Sequence, residues 1–186
     1  MKTRFIRARI QYSGAELSSH WIRKITGITG SAIAAFAGPC DVKPEHMVDM
    51  EDLETGQSIY SEEMLHFIAE HFDCGLDIVL LRQRLFASLA GDLLRSTSRK
   101  CASLLRDGDD LYIGRKKMSV SIATVSPVSA LFHFGINVSS RNTPVPAAGL
   151  GDLGVDVPPF ARALMKAYVI ELDSVSRARA KSRGVK

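Results

Sequence analysis

The chain has 186 residues, of which 46% are hydrophobic and 24% charged, and its formal net charge is +4. This length and composition suit one globular domain with its own hydrophobic core, so we predict that residues 1–186 form a single domain. No apolar run approaches the roughly 20 residues that span a bilayer, and the first residues lack a secretion-signal pattern. We therefore expect a cytoplasmic protein without a membrane segment.

The three cysteines, Cys40, Cys74 and Cys101, are odd in number and far apart in the sequence. This spacing argues against a disulfide framework and against a structural zinc site. We predict that they are buried free thiols.

The C-terminal residues 177–186 form a basic tail without acidic residues, and its positive charge alone exceeds the net charge of the chain. The rest of the protein is therefore close to neutral, which argues against a broadly basic nucleic-acid-binding surface. The tail allows contact with RNA, but a solvated helix end is the favoured interpretation.

The N-terminal part predicts a strand followed by a short helix. Residues 5–12 alternate between apolar and polar side chains, as a half-buried strand does. Residues 16–26 carry an apolar stripe at helical spacing, and Gly27 is well placed to end that helix.

A buried strand and a turn are predicted next. Residues 31–38 are small and apolar, and residues 38–42 have the composition of a turn. We count Gly38 and Asp41 of this turn among the candidate ligand-binding residues.

An acidic group follows a short strand predicted at residues 47–50. Asp49, Glu51 and Asp52 crowd together, and carboxylates this close repel one another unless they are solvated or paired with a cation. A metal site that uses Asp49 and Asp52 and an acidic surface loop are equal alternatives.

Two helices are predicted in the middle of the chain, at residues 61–72 and 77–95. On the first helix His66 and Glu70 share a face, where a hydrogen-bonded pair is favoured over a pair of metal ligands. The predicted buried stripes are Leu65, Ile68, Ala69 and Phe72 in the first helix and Ile78, Leu81, Leu85, Leu89 and Leu93 in the second.

The following region predicts several strands and then a helix. Residues 107–110 read Asp-Gly-Asp-Asp, a turn signal between apolar runs. Strands are predicted at residues 111–114, 117–124 and 130–138, with a break at the Ser-Pro pair before the last, and a final helix at residues 160–178. This order indicates an α+β fold with a mainly antiparallel sheet and packed helices.

The main candidate pocket lies on these strands. Lys117, the neighbouring Arg115, Ser119 and Ser121 offer a cation and hydroxyl groups on one strand. The next strand turns Phe132, Phe134 and Ile136 toward the core and presents His133, Gly135 and Asn137 on its other face. Gly135 leaves room for a ligand or a crossing backbone. We predict a small-molecule pocket here, although a solvated sheet face also accounts for the hydroxyl residues.

Several nucleotide-binding and hydrolase motifs are missing from the sequence. There is no P-loop, no Gly-x-Gly-x-x-Gly, no Gly-x-Ser-x-Gly and no His-Glu-x-x-His. The simplest NTPase, dehydrogenase, serine hydrolase and zinc protease interpretations are therefore excluded.

Two segments do resemble a known family. Residues 115–119, Arg-Lys-Lys-Met-Ser, resemble the lysine-bearing strand of biotin and lipoate protein ligases, and residues 134–138, Phe-Gly-Ile-Asn-Val, are similar to the strand that follows it in biotin ligases. The whole chain, with GPCDV, MVDMED, MLHF and KMSVSIATVSPVS, resembles a domain family of unknown function from archaea and bacteria. That resemblance implies the biotin/lipoate ligase-like fold, which is related to the class II synthetase core.

The resemblance implies a chemistry as well as a fold. Lys117 and Asn137 match the family by position, so Lys117 would stabilise charge on the α-phosphate of ATP and Asn137 would orient a carbonyl or hydroxyl group. Mg²⁺ would accompany ATP, with Asp49 or Asp52 helping to hold it. His133 would be a proton carrier or a wall of the pocket.

The sequence also departs from these ligases. It has no counterpart of the Gly-Arg-Gly-Arg loop of biotin ligases or of the paired glycines of lipoate ligases, and Val120 replaces the glycine after the lysine motif. A non-catalytic binding module and an RNA-associated module therefore stay open as alternatives, and a homodimer is compatible with the sequence.

Overall fold

The computed structural model describes residues 1–56 and 59–185. The α-helices of this part are α1 Trp21–Thr26, α2 Met50–Thr55, α3 Leu76–Thr97 and α4 Val157–Lys181. Its strands are β1 Lys2–Phe5, β2 Ala32–Val42, β3 Ile59–His71, β4 Leu104–Asp107, β5 Asp110–Ile113, β6 Lys116–Lys117, β7 Ser119–Val125 and β8 Ala130–Asn137. Single 3₁₀ turns occupy Pro44–His46 and Arg99–Cys101.

Five strands form the main sheet in the order β1-β2-β3-β8-β7. Strand β1 pairs parallel with β2, and the other neighbouring pairs are antiparallel. Strands β4, β5 and β6 form a small antiparallel sheet of their own. This arrangement confirms the predicted α+β fold with a mainly antiparallel sheet.

Both faces of the main sheet are buried. In β2, Ile33 and Ala35 belong to the apolar cluster that α3 and α4 cover, whereas Ala34 and Phe36 belong to a second cluster on the opposite face. The second cluster is covered by the segment from Tyr12 to Ile22, so the sheet is a central layer between two apolar clusters.

Of residues 61–72, which the sequence predicts as a helix, residues 61–71 instead lie within β3 at the centre of the sheet, and Phe72 follows it. Strand β3 pairs with β2 on one side and β8 on the other. Leu65 and Phe67 face one cluster, and Met64 and Ile68 face the other. A strand that is buried on both faces shows no apolar–polar alternation, and here its apolar residues coincide with helical spacing.

Three shorter predictions are also wrong. Residues 38–42 continue β2 through a bulge rather than forming a turn. Residues 47–50 form no strand, and Asp49 caps α2 by accepting hydrogen bonds from two backbone N–H groups. In the predicted strand at residues 5–12, regular pairing ends at Phe5 and resumes as a single bridge at Tyr12.

The predicted helix at residues 77–95 is present as α3, but it is rotated from the predicted orientation. Leu81 is 66% exposed and Ile78 is 46% exposed, while Phe86 and Leu94 are fully buried. The buried face also holds Ala87, Ala90 and Gly91. The packing face of α3 therefore combines small residues with the large side chains of Phe86 and Leu94.

The remaining elements follow the sequence more closely. The turn at residues 108–109 joins β4 to β5, and Gly27 ends α1 with a positive φ of 72°. The three cysteines are free thiols, two of them buried. None of the helices in residues 1–56 and 59–185 has the length and hydropathy needed to cross a membrane. Helix α4 carries the basic tail as far as Lys181, and Lys186 lies outside the described residues.

Two substitutions of the same kind on α3 test which face is buried. Leu94→Ala removes a fully buried side chain and should lower the free energy of unfolding by about 2–5 kcal/mol. Leu81→Ala should change it by less than about 1 kcal/mol. Chemical denaturation measures both, and the reverse order would show that the predicted stripe is the packing face.

Candidate functional site

A cavity of about 190 Å³ opens beside β7 and β8, on the face of the sheet that Tyr12 covers. Strands β7 and β8 supply its floor, the segment at residues 46–52 forms one wall, and the turn between β4 and β5 forms another. Its lining residues are Tyr12, Val42, His46, Met47, Val48, Asp49, Asp52, Ile59, Asp109, Asp110, Lys117, Val120, Ser121, Ile122 and His133. We call it the histidine cavity.

A second cavity, of about 110 Å³, adjoins the first, and we call it the asparagine cavity. Asn137 lines it, together with the loop at residues 143–147. Asp52, Ile59, Lys117 and Val120 line both cavities. The two spaces therefore meet at these four residues, and Lys117 is the cationic one among them.

Lys117 is held in place by its backbone on two sides. It pairs with Tyr112 of β5, and it exchanges hydrogen bonds with the facing loop, donating to the Pro146 carbonyl at 2.9 Å and accepting from the Ala148 N–H at 3.1 Å. Its ammonium forms an ion pair with Asp110 at 2.7 Å. The cation is thus fixed at the junction of the cavities.

Carboxylates dominate the charge around this cation. Asp49, Asp52, Asp109 and Asp110 all line the histidine cavity. Burial raises the pKa of Asp110 above its ordinary value, and the pKa of Asp52 is raised by burial and by the nearby Asp49. Burial disfavours the Lys117 charge, but the bond to Asp110 outweighs it and holds the lysine pKa above its ordinary value.

Two buried histidines form the inner end of the site. His66 of β3 and His133 of β8 lie on the same face, and their Nδ1 and Nε2 atoms are 3.0 Å apart. His66 Nε2 lies 3.2 Å from the carbonyl oxygen of Gly38. Burial lowers the pKa of His66 to about 4, and burial together with the adjacent His66 holds the pKa of His133 well below its usual value. Both rings are therefore neutral near pH 7.

Tyr12 covers the histidine pair. Its ring stacks on His133 with centroids 3.8 Å apart and planes 8° apart, and it lies 5.2 Å from the His66 ring. Phe36 stacks on His66 from the neighbouring strand. These contacts fix the orientation of both imidazole rings.

The structure corrects the predicted polar floor. The β7–β8 register places Val120 opposite Gly135 and Ile122 opposite His133, so these apolar side chains share the histidine face. Ser119 is buried and accepts a hydrogen bond from the Leu111 N–H, and it lines the asparagine cavity rather than the histidine cavity.

Ser121 also has structural partners, although it reaches the edge of the histidine cavity. It accepts a hydrogen bond from Gln83 of α3 and donates one to the carbonyl of His133. The two predicted hydroxyl groups thus hold strands and helices together, and their ligand-binding role stays a prediction.

The two predicted glycines make room for protein atoms. A Cβ on Gly135 would lie 2.8 Å from the Met64 side chain, so that space is already filled. A Cβ on Gly38 would lie 1.9 Å from the carbonyl oxygen of Ile10, because the N-terminal segment crosses β2 there. Gly38 touches the site only through its own carbonyl, which faces His66.

Three further predicted residues are dispersed. Asn137 lines the asparagine cavity, and its amide faces the Lys117 carbonyl at 3.4 Å. Arg115 is exposed in the turn between β5 and β6. Asp41 forms an ion pair with Lys43 at 2.8 Å and is not among the described residues that line either cavity.

The two predicted metal ligands line the histidine cavity, but one of them is already engaged. Asp49 Oδ1 accepts the hydrogen bonds from Glu51 and Asp52 that cap α2. Within residues 1–56 and 59–185, no three acidic, histidine or cysteine side chains form a group that could hold a metal ion. The structure therefore offers no preformed metal centre in that part of the chain.

Sequence reasoning missed several residues of the site. The sequence pattern places Tyr12 on a strand face and His66 on a helix beside Glu70. In the structure Glu70 instead accepts hydrogen bonds from the His20 N–H and the Ser129 hydroxyl. The sequence pattern indicates only a turn at Asp110. A residue pattern cannot pair Tyr12 with His133, because they are distant in sequence and meet only through the fold.

Comparison with known proteins places the chain among proteins without an assigned function. The family described as a domain of unknown function, DUF366, matches residues 1–183. An uncharacterised protein of Methanocaldococcus jannaschii is 38% identical over 180 residues, which are 93% of this chain and 80% of that protein.

Solved structures of similar fold include a protein of unknown function and two proteins named as protein ligases. A protein of unknown function from Pyrococcus horikoshi aligns with a TM-score of 0.89 at 36% identity, over 99% of this chain and 100% of that one. Biotin protein ligase from Aquifex aeolicus, solved with biotin and ATP, aligns with a TM-score of 0.62 at 16% identity, over 91% and 70% of the two chains. A T. acidophilum protein named as a lipoate protein ligase, solved with lipoic acid, aligns with a TM-score of 0.55 at 14% identity, over 92% of this chain and 86% of that one. The last two similarities show a shared fold.

The crossing at Gly38 generates a sharp stability prediction. Gly38→Ala places a methyl group against the Ile10 backbone, which cannot move as a flexible side chain could, and should cost at least about 3 kcal/mol of unfolding free energy. Gly75→Ala is the matched control, because Gly75 has a negative φ and open space around it, and should cost about 1 kcal/mol or less. Thermal and urea denaturation compare the two, and equal stability would contradict the close crossing.

Acid should destabilise the protein through its buried histidines. His66 and His71 both have pKa values of about 4 in the folded state, lowered mainly by burial, whereas unfolded histidines take up protons below about pH 6.5. Stability is therefore full above pH 6.5 and falls as the pH drops toward 4, by on the order of 2 kcal/mol per histidine at pH 5.

Urea denaturation between pH 7 and pH 5 measures this slope. The His66→Leu variant should show a shallower slope than the wild type. The control His46→Ala, at an exposed position, should keep the full slope. An unchanged slope in His66→Leu would show that His66 does not titrate in this way.

Proposed function

The chain belongs to the DUF366 family of domains of unknown function, and on the fold that it shares with biotin and lipoate protein ligases we propose that it binds a nucleotide and a small carboxylic acid on the two sides of Lys117. The proposed reaction joins them as an acyl-adenylate. A cytoplasmic location, as the sequence predicts, would supply the ATP.

The observation that carries this proposal is the position of Lys117 at the junction of two cavities. One cavity ends at a buried histidine and the other at an asparagine, so each can accept a different part of a composite ligand. Structures with the same fold are described with biotin and ATP and with lipoic acid, which supports a two-part ligand here.

The lysine suits the charge changes of adenylation. In this reaction a carboxylate oxygen attacks the α-phosphate of ATP, an O–P bond forms, and pyrophosphate leaves with the electrons of the broken bond. Negative charge gathers on the phosphoryl oxygens in the transition state. An ammonium group on a fixed strand, already oriented by an ion pair, stabilises that charge with little reorganisation. Asp110 would then share the lysine with the phosphate.

Mg²⁺ would screen the triphosphate in such a reaction. Carboxylates suit this ion, and Asp52 and Asp110 are the ones that flank Lys117. Since Asp49 is occupied as a helix cap and the described residues contain no preformed metal group, these side chains do not fit a resident metal centre. We therefore assign no step to a protein-bound metal.

A non-catalytic binding module on the same fold is the second candidate. The sequence lacks the glycine- and arginine-rich loop of biotin ligases, which is the specific observation that favours binding without catalysis. Both candidates use the same cavities, and they differ in whether pyrophosphate is released.

Ligand-induced thermal stabilisation tests the proposal. ATP with Mg²⁺, alone and together with biotin, lipoate or octanoate, should raise the melting temperature of the wild type, and Lys117→Ala should lose most of that shift. Lys116→Ala is the matched control, because Lys116 is adjacent but exposed, and should keep the full shift.

The same samples separate the two candidates. Release of pyrophosphate with one of the acids supports adenylation, whereas a thermal shift without release supports the binding module. If no nucleotide shifts the melting temperature of the wild type, the nucleotide site is wrong.

A further inference from the structure

The histidine pair has a defined arrangement of protons that the proposed reaction does not use. Only His66 and His133 approach each other among the buried histidines of the described residues, at 3.0 Å, and burial keeps both rings neutral. A neutral imidazole has one N–H donor and one acceptor nitrogen. The partners of each nitrogen therefore decide which one carries the proton.

The Gly38 carbonyl determines which nitrogen of His66 carries the hydrogen. A carbonyl oxygen only accepts hydrogen bonds, so the facing Nε2 of His66 carries the hydrogen. The other nitrogen of His66, Nδ1, is then an acceptor. His133 must donate to it from Nε2, and Nδ1 of His133 is left without a hydrogen.

This last nitrogen borders the histidine cavity. In residues 1–56 and 59–185 no hydrogen-bond partner contacts Nδ1 of His133, yet no buried side-chain nitrogen or oxygen lacks a partner. His133 lines the histidine cavity, and since its Nε2 is bonded to His66, Nδ1 is the ring nitrogen that a ligand in the cavity would meet. The Tyr12 ring stacked on the imidazole holds its plane in this orientation.

The polar groups around this cavity are mostly acceptors as well. Four aspartates line it, and the ammonium of Lys117 is already bonded to one of them, Asp110. A ligand that fills the cavity away from Lys117 thus meets carboxylate oxygens and an imidazole lone pair. A group with only acceptor atoms would leave these sites unpaired, which costs binding energy.

We infer that His66 is a positioning residue that fixes His133 as a hydrogen-bond acceptor, and that this acceptor selects a carboxylic acid bearing N–H or O–H donors at the end remote from its carboxylate. The inference rests on the proposed function, and it assigns the acid to the histidine cavity because that cavity is the one His133 lines. It distinguishes among acids that the same fold binds elsewhere.

Biotin and lipoic acid are suitable probes for this selection. Each has a pentanoic acid chain attached to a sulfur-containing ring, and only biotin carries ureido N–H groups. Calorimetry in the presence of ATP and Mg²⁺ should show biotin binding about tenfold or more tightly than lipoate. Lys117→Ala should weaken both acids alike, whereas His66→Leu should reduce the difference between them.

The positions of the protons can be measured without any ligand. Long-range ¹H–¹⁵N NMR of histidine-labelled protein should show His66 and His133 with the hydrogen on Nε2. In His66→Leu the acceptor is gone, and His133 should become a mixture of the two tautomers. His66→Gln should restore the Nε2 form, because its amide oxygen can accept the same bond. The hydrogen on Nδ1 of His133 in the wild type would overturn the inference.

The binding outcomes separate this inference from the proposed function. If lipoate binds as tightly as biotin, the selection is wrong while the cavity function stands. If neither acid binds in the presence of nucleotide, the proposed function is wrong and the selection fails with it. Biotin preference that persists unchanged in His66→Leu would show that His66 has no positioning role.

Discussion

The crossing of the N-terminal segment over Gly38 is the constraint on which the site depends. The Ile10 carbonyl passes so close to Gly38 that any side chain there would collide with it. The crossing segment donates from the Tyr12 N–H to the Pro39 carbonyl and accepts at the Tyr12 carbonyl from Asp41, which holds the tyrosine over the sheet. Tyr12 can then stack on His133, while the Gly38 carbonyl faces His66. One close backbone contact thus determines both the position of Tyr12 over the cavity and the nitrogen atoms of His66 and His133 that carry hydrogen.

Burial of the main sheet on both faces explains why the sequence predicts some elements of the fold correctly and the central strand β3 wrongly. Helix α3, the turn before β5 and strand β8 have local signals that survive in the structure, because a helix stripe, an Asp-Gly turn and an alternating strand are each read from neighbouring residues. Strand β3 has no such signal, since its residues are apolar on both sides. The central strand of the sheet was therefore the element most easily mistaken for a helix.

The site was predictable to a similar extent. Lys117, His133 and Asn137 follow from the strands that carry them, and the structure brings all three to adjoining cavities. The hydroxyl residues Ser119 and Ser121 are predicted on the floor, yet Ser121 bonds to Gln83 of α3 and Ser119 bonds to the Leu111 N–H of β5. Register depends on pairing with a distant strand, so a single sequence does not determine it, and a slip of one residue exchanges the two faces.

The charged and polar groups of the histidine cavity act together on any ligand that enters it. A phosphate group needs a cation, yet Lys117 is surrounded by aspartates, and Asp110 already holds its ammonium. Burial raises the pKa values of Asp52 and Asp110, but the ion pair with Lys117 favours the charged form of Asp110, so an incoming anion competes with Asp110 for the ammonium group. The neutral histidines at the far end add no positive charge that could hold an anion there. On the proposed function, the anionic end of the ligand would therefore lie at Lys117, and its N–H groups would face the aspartates and His133.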